Sequence, residues 1–315
     1  MTEYRLEPLR PELFDELSPL MFDAFGESVG PDFFRWKFVD NPAGPAIGNI
    51  ARNIDDGEIA AFYGMIPERY RWGSEIRTVY QSCDTMTHAR HRRRGLFQKL
   101  ALETYRQGRE RDPDFLAIGF GGPTSTPGFL KMGWTAPFDI RFRFRPYPLT
   151  LVPVLRPRPV EGMSTSDETL ISLICSAAEQ RPLGAVRTRD FIRWRLANPL
   201  RKYEAVVDGD RAYAIYYRSA GSLFLFDFWE REARAGRSAW NAVRNASLRP
   251  RTKGVLTFCQ SGIDFDDRVR RLGFYRNPWR SGPASLRTPF IVYGKPGDRG
   301  SASDWAITPF DHDSY

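Results

Sequence analysis

Apolar side chains recur at three- and four-residue intervals between Pro11 and Phe25, where Leu13, Leu17, Leu20, Met21 and Ala24 share one face. This spacing predicts an amphipathic helix. A second short helix is expected over Phe33–Phe38. From Asn49 to Thr87 the pattern shortens: NIARNI, EIAAFYGMI, ERYRWG and IRTVYQSCDTMT read as strands, with turn signals at Asp55-Asp56-Gly57 and Gly73-Ser74. Together they predict an antiparallel meander. The last run leads through a basic turn, His88 to Gly95, into LFQKLALETYRQGRER, where Leu96, Leu100 and Tyr105 share a buried face. DFLAIGFGG then reads as a buried strand, GFLKMGW as a short helix with a glycine stop, and APFDIRFRFR as the strand that completes an α/β unit.

The stretch after Tyr147 is rich in Pro and Ser and has no sustained period, so residues 147–166 read as a linker between a domain at 1–146 and another at 167–315. In the second half ISLICSAAEQ is expected as a helix, KYEAVVDGDRAYAIYYR as a hairpin around Asp208-Gly209, and SLFLFDFW as a buried strand. The halves also repeat. Asp32-Phe33-Phe34-Arg35-Trp36-Lys37-Phe38, closing on Asn41-Pro42, matches Asp190-Phe191-Ile192-Arg193-Trp194-Arg195-Leu196, closing on Asn198-Pro199. FLAIGF followed by FLKMGW corresponds in order to VLTFCQ followed by VRRLGF. A duplicated domain is the expectation, with Trp36 and Trp194 as core residues.

Composition narrows the chemistry. The 46 Lys and Arg against 38 Asp and Glu leave a formal charge of +8, which suits phosphate-bearing or acidic ligands. A nucleic-acid role is disfavoured, because the arginines are scattered and no zinc spacing, basic zipper or RNP-like aromatic string occurs. The three cysteines, Cys83, Cys175 and Cys259, are far apart and odd in number, against a disulfide framework or a cysteine-based metal site. The charged N-terminus is unlike a signal peptide, and no apolar run approaches the ~20 residues of a membrane span. A soluble cytoplasmic protein with no metal is expected.

The basic turn carries the chemistry. A helix start presents unpaired N–H groups and a partial positive charge, so a strand, a glycine turn and a helix flanked by arginines form a pyrophosphate cradle. The segment from Asp84 to Phe97 resembles motif A of the GNAT superfamily, Arg/Gln-x-x-Gly-x-Gly/Ala. Arg92 and Gly95 match it, and Phe97 replaces the final small residue, as in relatives whose loop reads His-Arg-Arg-Arg-Gly-Leu, among them Eis-type acetyltransferases. The resemblance covers about Tyr4 to Arg145 and implies tandem GNAT-type α/β (α+β) domains, each a mixed, mostly antiparallel sheet flanked by helices. It further implies acetyl-CoA, or another acyl-CoA, as co-substrate. The contacts implied are Met86, Thr87 and His88 for the pantetheine arm, Arg92, Arg93, Arg94, Gly95, Leu96 and Phe97 for the pyrophosphate, and Thr124 and Phe129 beyond the fifth strand. The second half lacks such a loop: WEREARAG places Glu230 and Glu232 where a phosphate would sit, so loss of CoA binding there is expected.

Direct acyl transfer needs a base for the amine and a proton for the departing thiolate. The family's usual Tyr acid is replaced by Phe129. Asp84 is the base candidate, being on the strand expected to splay beside the thioester; the competing reading is a turn cap or an Arg partner. His88 and His91 are expected as phosphate neighbours or surface residues. The C-terminal run from Asp304 to Tyr315 interleaves aromatic and acidic residues, and the resemblance implies that the terminal carboxylate enters the active site as base, so that Asp311, Asp313 or the Tyr315 carboxylate lines the acceptor pocket, with the acceptor between the domains. The expected reaction is acyl transfer to a primary amine of a small molecule or amino sugar. A FemAB-type aminoacyl transferase and a catalytically silent acyl-CoA-binding module are the alternatives.

Overall fold

The computed structural model describes residues 3–178, 183–248, 251–276, 287–295 and 300–314. The chain forms two compact units that are not contiguous in sequence. One comprises Met1–Pro137, Asn198–Leu200 and Phe290–Gly300, the other Phe138–Ala197, Arg201–Pro289 and Ser301–Tyr315.

The first unit opens with β1 (Tyr4–Pro8), followed by α1 (Phe14–Phe25), α2 (Pro31–Phe38), β2 (Ile47–Asn53), β3 (Ile59–Trp72) and β4 (Glu75–Thr87). After these come α3 (Leu96–Arg111), β5 (Ala117–Phe120) and α4 (Thr126–Lys131). Strands β1 to β4 pair antiparallel in sequence order, and β5 joins β4 in parallel. Phe290–Tyr293 then pairs antiparallel with β5. ERYRWG and the preceding apolar run are one strand, because Pro67 lies past Met65, the last β3 residue paired with β2. Its missing N–H therefore costs no bond to β2, and its carbonyl accepts from Asn41 Nδ2 at 3.0 Å. One face of the sheet packs on α3, burying Tyr63, Leu96, Leu100, Tyr105, Phe129 and Trp134 in one cluster. Their polar atoms satisfy one another: the Tyr63 and Tyr105 hydroxyls lie 3.1 Å apart, and Trp134 Nε1 donates to Tyr105 Oη at 3.0 Å.

The second unit takes most of β6 (Thr135–Pro146) and then α5 (Tyr147–Thr150), β7 (Glu161–Met163), α6 (Glu168–Ala177), β8 (Leu183–Ala185) and α7 (Arg189–Leu196). It continues with β9 (Glu204–Asp208), β10 (Ala212–Ser219), β11 (Ser222–Glu230), α8 (Arg237–Leu248), β12 (Gly254–Cys259) and α9 (Asp264–Arg271), before β13 (Arg287–Tyr293) returns to the first unit. Its sheet runs β7-β9-β10-β11-β12-β6, antiparallel except for β11 and β12. The two sheets thus share one plan with their sixth strands exchanged: the strand expected to complete the first unit pairs with β12, and the last strand pairs with β5. The expected linker belongs to the second unit, where Glu161–Met163 adds an edge strand to β9.

The sequence repeat has a structural meaning in each unit. Trp36 and Trp194 are both buried, and the following cations, Lys37 and Arg195, are each only 1% exposed. In both copies the Asn side chain closes the same turn: Ala43 N donates to Asn41 Oδ1 and Leu200 N to Asn198 Oδ1, each at 2.9 Å. Among the described residues, no helix is long and apolar enough to cross a membrane.

Candidate active site

Strands β4 and β5 stay paired only through Tyr80–Ala117, Gln81–Ile118 and Ser82–Gly119. Beyond Ser82 the two strands diverge, and β4 continues to Thr87 against β3 alone. The register with β3 slips between Phe62 and Gly64, which face Met86 and Cys83, so β4 carries one extra residue. Asp84 sits in this bulge with φ 45°, a left-handed conformation that Asp tolerates better than most residues. Its carboxylate lies 2.7 Å from Lys37 Nζ, and both side chains are nearly inaccessible to solvent. Asp84 is therefore a buried ion-pair partner, with a Lys in place of the turn cap or Arg weighed as its competing role.

Beyond β4 the chain makes one tight turn, Ala89–His91, and enters α3 through Arg92–Gly95. Gly95 precedes the first helical residue with φ 72°, and a Cβ built there meets nothing within 4 Å. The glycine is thus demanded by the backbone angle, and the space above it is open. That space is a cavity of about 300 Å³ lined by Thr87, His91, Arg92, Arg93, Arg94, Gly95, Leu96, Phe97, Gln98, Gly128 and Lys131. All three arginines are exposed, and Arg92 Nε donates to Thr87 O at 3.3 Å. The unpaired N–H groups of the first turn of α3 and four cationic side chains therefore converge on one concave surface, an arrangement that favours a multiply charged anion.

Seven of the expected contact residues, Thr87, Arg92, Arg93, Arg94, Gly95, Leu96 and Phe97, line this cavity. Met86, only 1% exposed, points into the core. His88 faces a different cavity, with Glu58. Thr124 lies exposed in the turn before α4, away from the lining residues. Phe129 is core, its ring 5.0 Å from Phe97 and 4.9 Å from Trp134. Tyr315 falls outside the described residues. His91, expected at the surface or beside phosphate, lines the cavity while being 94% buried by its 6% exposure.

Gln98, Gly128 and Lys131 were not anticipated. Their placement follows from the large residue at position 97. A Cβ at Gly128 would come 2.6 Å from Phe97 Cε1, so only glycine lets α4 pack on that ring. The contact carries Lys131, three residues on, to the cavity rim. The pairing of Phe97 with Gly128 is the signal that the sequence held.

Tyr63 and Tyr105 lie within the ring cluster behind the loop, and burial pushes both hydroxyls well above the ordinary phenol range, so they stay protonated and locked to each other. In the second unit the start of α8 is occupied differently. Glu230 Oε2 accepts from Gly236 N at 3.1 Å, and Glu230 Oε1 pairs with Arg271 at 2.8 Å. A carboxylate of the chain itself fills the place that a bound anion would take. The tail also packs within this unit: Trp305, Ile307 and Phe310 are fully buried, and Arg195 donates to the Phe310 and Pro309 carbonyls at 3.1 and 3.3 Å.

A family model described as an acetyltransferase (GNAT) domain matches residues 5–136. A conserved protein of unknown function from Enterococcus faecalis V583 superposes with a TM-score of 0.69 at 13% identity, over 93% of this chain and 72% of that one. A GCN5-related N-acetyltransferase from Kribbella flavida gives 0.64 at 13% identity, over 92% and 71%. A tandem GNAT protein from the clavulanic acid biosynthesis pathway gives 0.66 at 14% identity, over 93% of this chain and 98% of its own. No protein with a curated description matches the sequence. Residues 5–136 thus match the GNAT acetyltransferase domain model, and the chain shares the fold of these N-acetyltransferase and tandem GNAT structures.

Proposed function

We propose that the first unit transfers an acetyl, or another acyl, group from acyl-CoA to a primary amine of a small molecule or amino sugar. The observation that carries this reading is the open, cationic cavity of about 300 Å³ above Gly95 at the start of α3. There the amides around Gly95 hold the pyrophosphate, with Arg92, Arg93, Arg94 and Lys131 adding charge. The pantetheine arm runs back along Thr87 toward the divergence of β4 and β5, which brings the thioester to the bulge at Asp84. The neutral amine attacks the thioester carbonyl, a C–N bond forms, the C–S bond breaks, and the thiolate takes a proton. With Phe129 in place of a tyrosine, water supplies that proton. Asp84, oriented by Lys37, is the acidic group at the bulge and takes the amine's proton directly once the acceptor is seated against it.

One acyl-CoA per chain is expected, since Glu230 already occupies the helix start of the second unit. A silent acyl-CoA-binding module is the second reading, favoured by the burial of Phe129 at 3% exposure. A thermal-shift series with acetyl-CoA, longer acyl-CoAs and tRNA tests the donor. A ligand at a hundred times its Kd stabilises the fold by about 2.7 kcal/mol. Stabilisation by acetyl-CoA, followed by CoA release with an amine library, is the predicted outcome. Stabilisation without release selects the silent module, and stabilisation by tRNA alone rejects the acyl-CoA donor.

A further inference from the structure

Behind the turn that feeds the phosphate loop, a second set of side chains converges. The ligand atoms of Glu58, His88 and His91 all lie within 4.8 Å of one another. His91 Nε2 is 3.6 Å from Glu58 Oε2, and His88 Nε2 is 3.8 Å from Glu58 Oε1 and 3.7 Å from Asp23 Oδ1. These separations are too long for hydrogen bonds. They are near the ligand-to-ligand edge of a tetrahedral zinc site, about 3.3–3.6 Å for metal bonds of about 2.0–2.2 Å. We propose that Glu58, His88 and His91, with Asp23 as a fourth ligand, form a binding site for a divalent transition-metal ion of the zinc class.

His91 argues this most directly. It is only 6% exposed, and its Nδ1 is held 2.9 Å from the Tyr4 hydroxyl, while its buried Nε2 has no hydrogen-bond partner among the described residues. A second ring nitrogen fixed by an oxygen, with the first left bare toward a carboxylate, is the arrangement by which metal-binding imidazoles are oriented. The cluster is reachable, since Glu58 and His88 also line a cavity of about 260 Å³ together with Glu16, Leu20 and Ile59. Two imidazoles with two carboxylates suit Zn²⁺, Co²⁺ or Ni²⁺ rather than the all-oxygen preference of Mg²⁺ or Ca²⁺, and the two carboxylates neutralise the ion.

Two contacts compete with the metal, and both involve Arg90. Its exposed guanidinium holds Glu58 Oε2 at 2.6 Å, and its backbone N–H donates to His88 Nδ1 at 3.2 Å. Metal on His88 Nε2 moves the ring proton to Nδ1 and gives up the second contact, while Glu58 must leave the first. Removing the Arg90 side chain should therefore strengthen metal binding.

The test uses the full chain, stripped of metal with a chelator and titrated with Co²⁺ and then Zn²⁺, reading the cobalt visible absorption and the melting temperature. One Co²⁺ per chain with a tetrahedral spectrum, displaced by Zn²⁺, is expected. Glu58→Gln and His91→Gln should each weaken binding by at least about tenfold, and Arg90→Ala should tighten it severalfold. His312→Gln, which removes the chain's third histidine, should leave it unchanged. Glu58 is partly exposed, so Glu58→Gln decides the question if His91→Gln does not fold. Absence of a cobalt spectrum, affinity that survives Glu58→Gln, or loss confined to His312→Gln overturns the proposal.

Discussion

Lys37, in the repeated helix motif of the first unit, forms an ion pair with Asp84, the carboxylate in the β4 bulge. Replacing Lys37 with Met keeps the length of the side chain but removes the ammonium 2.7 Å from Asp84, at a site where the Lys side chain is 1% and the Asp side chain 9% exposed. Breaking a buried pair by deleting one partner costs about 3–5 kcal/mol, because the remaining charge keeps its desolvation penalty without the Coulomb gain. That is a large share of the ~5–15 kcal/mol by which a domain is stable. Urea unfolding should show a lower midpoint at unchanged slope, and Lys37→Met/Asp84→Asn should recover much of the loss by removing the stranded charge. A cost below about 1 kcal/mol, typical of an exposed pair, with no recovery in the double variant, refutes this reasoning.

Phe129→Tyr places a hydroxyl in the ring cluster formed with Phe97 and Trp134; it should destabilise the chain by about 1–3 kcal/mol as a buried unpaired donor, with no rise in turnover, measured by unfolding and CoA release. Lys131→Ala at the exposed rim should change stability by less than about 0.5 kcal/mol, yet weaken acetyl-CoA binding severalfold and flatten its salt dependence. In the second unit, burial first and the Glu204 carboxylate second push the Tyr216 hydroxyl up from 10.0 to about 12. A raised folded-state value means that the contribution is complete below pH 10 and is lost as the pH rises toward 12, so Tyr216→Phe should lose less stability than the parent chain over that window.

How far the sequence revealed these features depended on whether the information was local. The helix at Phe14–Phe25, the hairpin at Asp208-Gly209 and the basic turn before Leu96–Arg111 were legible because each is written in consecutive residues. Strand Tyr4–Pro8 was missed because, among the described residues, it is an edge strand paired with Ile47–Asn53 alone, and three of its five residues are exposed, so no hydrophobic period marks it. The exchange of sixth strands was invisible for a different reason. Both FDIRFRFR and PFIVY are competent strands, and which sheet each joins is decided by packing rather than by pattern. The cleft divided in the same way. Arg92 to Phe97 are contiguous and were found, whereas Lys131 arrives through the contact of Gly128 with Phe97, and the partner of Asp84 comes from a helix 47 positions earlier in numbering, by difference of 84 and 37. The repeat that contains Lys37 was read as a duplicated domain with Trp36 and Trp194 as core, and the charge buried beside them was passed over.

The central claim is that the amides beneath Gly95 grip a diphosphate, and calorimetric titration of acetyl-CoA into Gly95→Ala tests it most directly. The added methyl meets no protein atom within 4 Å, so the free chain bears only the left-handed strain of φ 72°, about 1–2 kcal/mol. The methyl projects into the cavity, however, and displacing the phosphates from two charge-assisted contacts of about 1.5–3 kcal/mol each predicts a fall in affinity of at least about a hundredfold. Acetyl-CoA binding with undiminished affinity to folded Gly95→Ala would contradict the account.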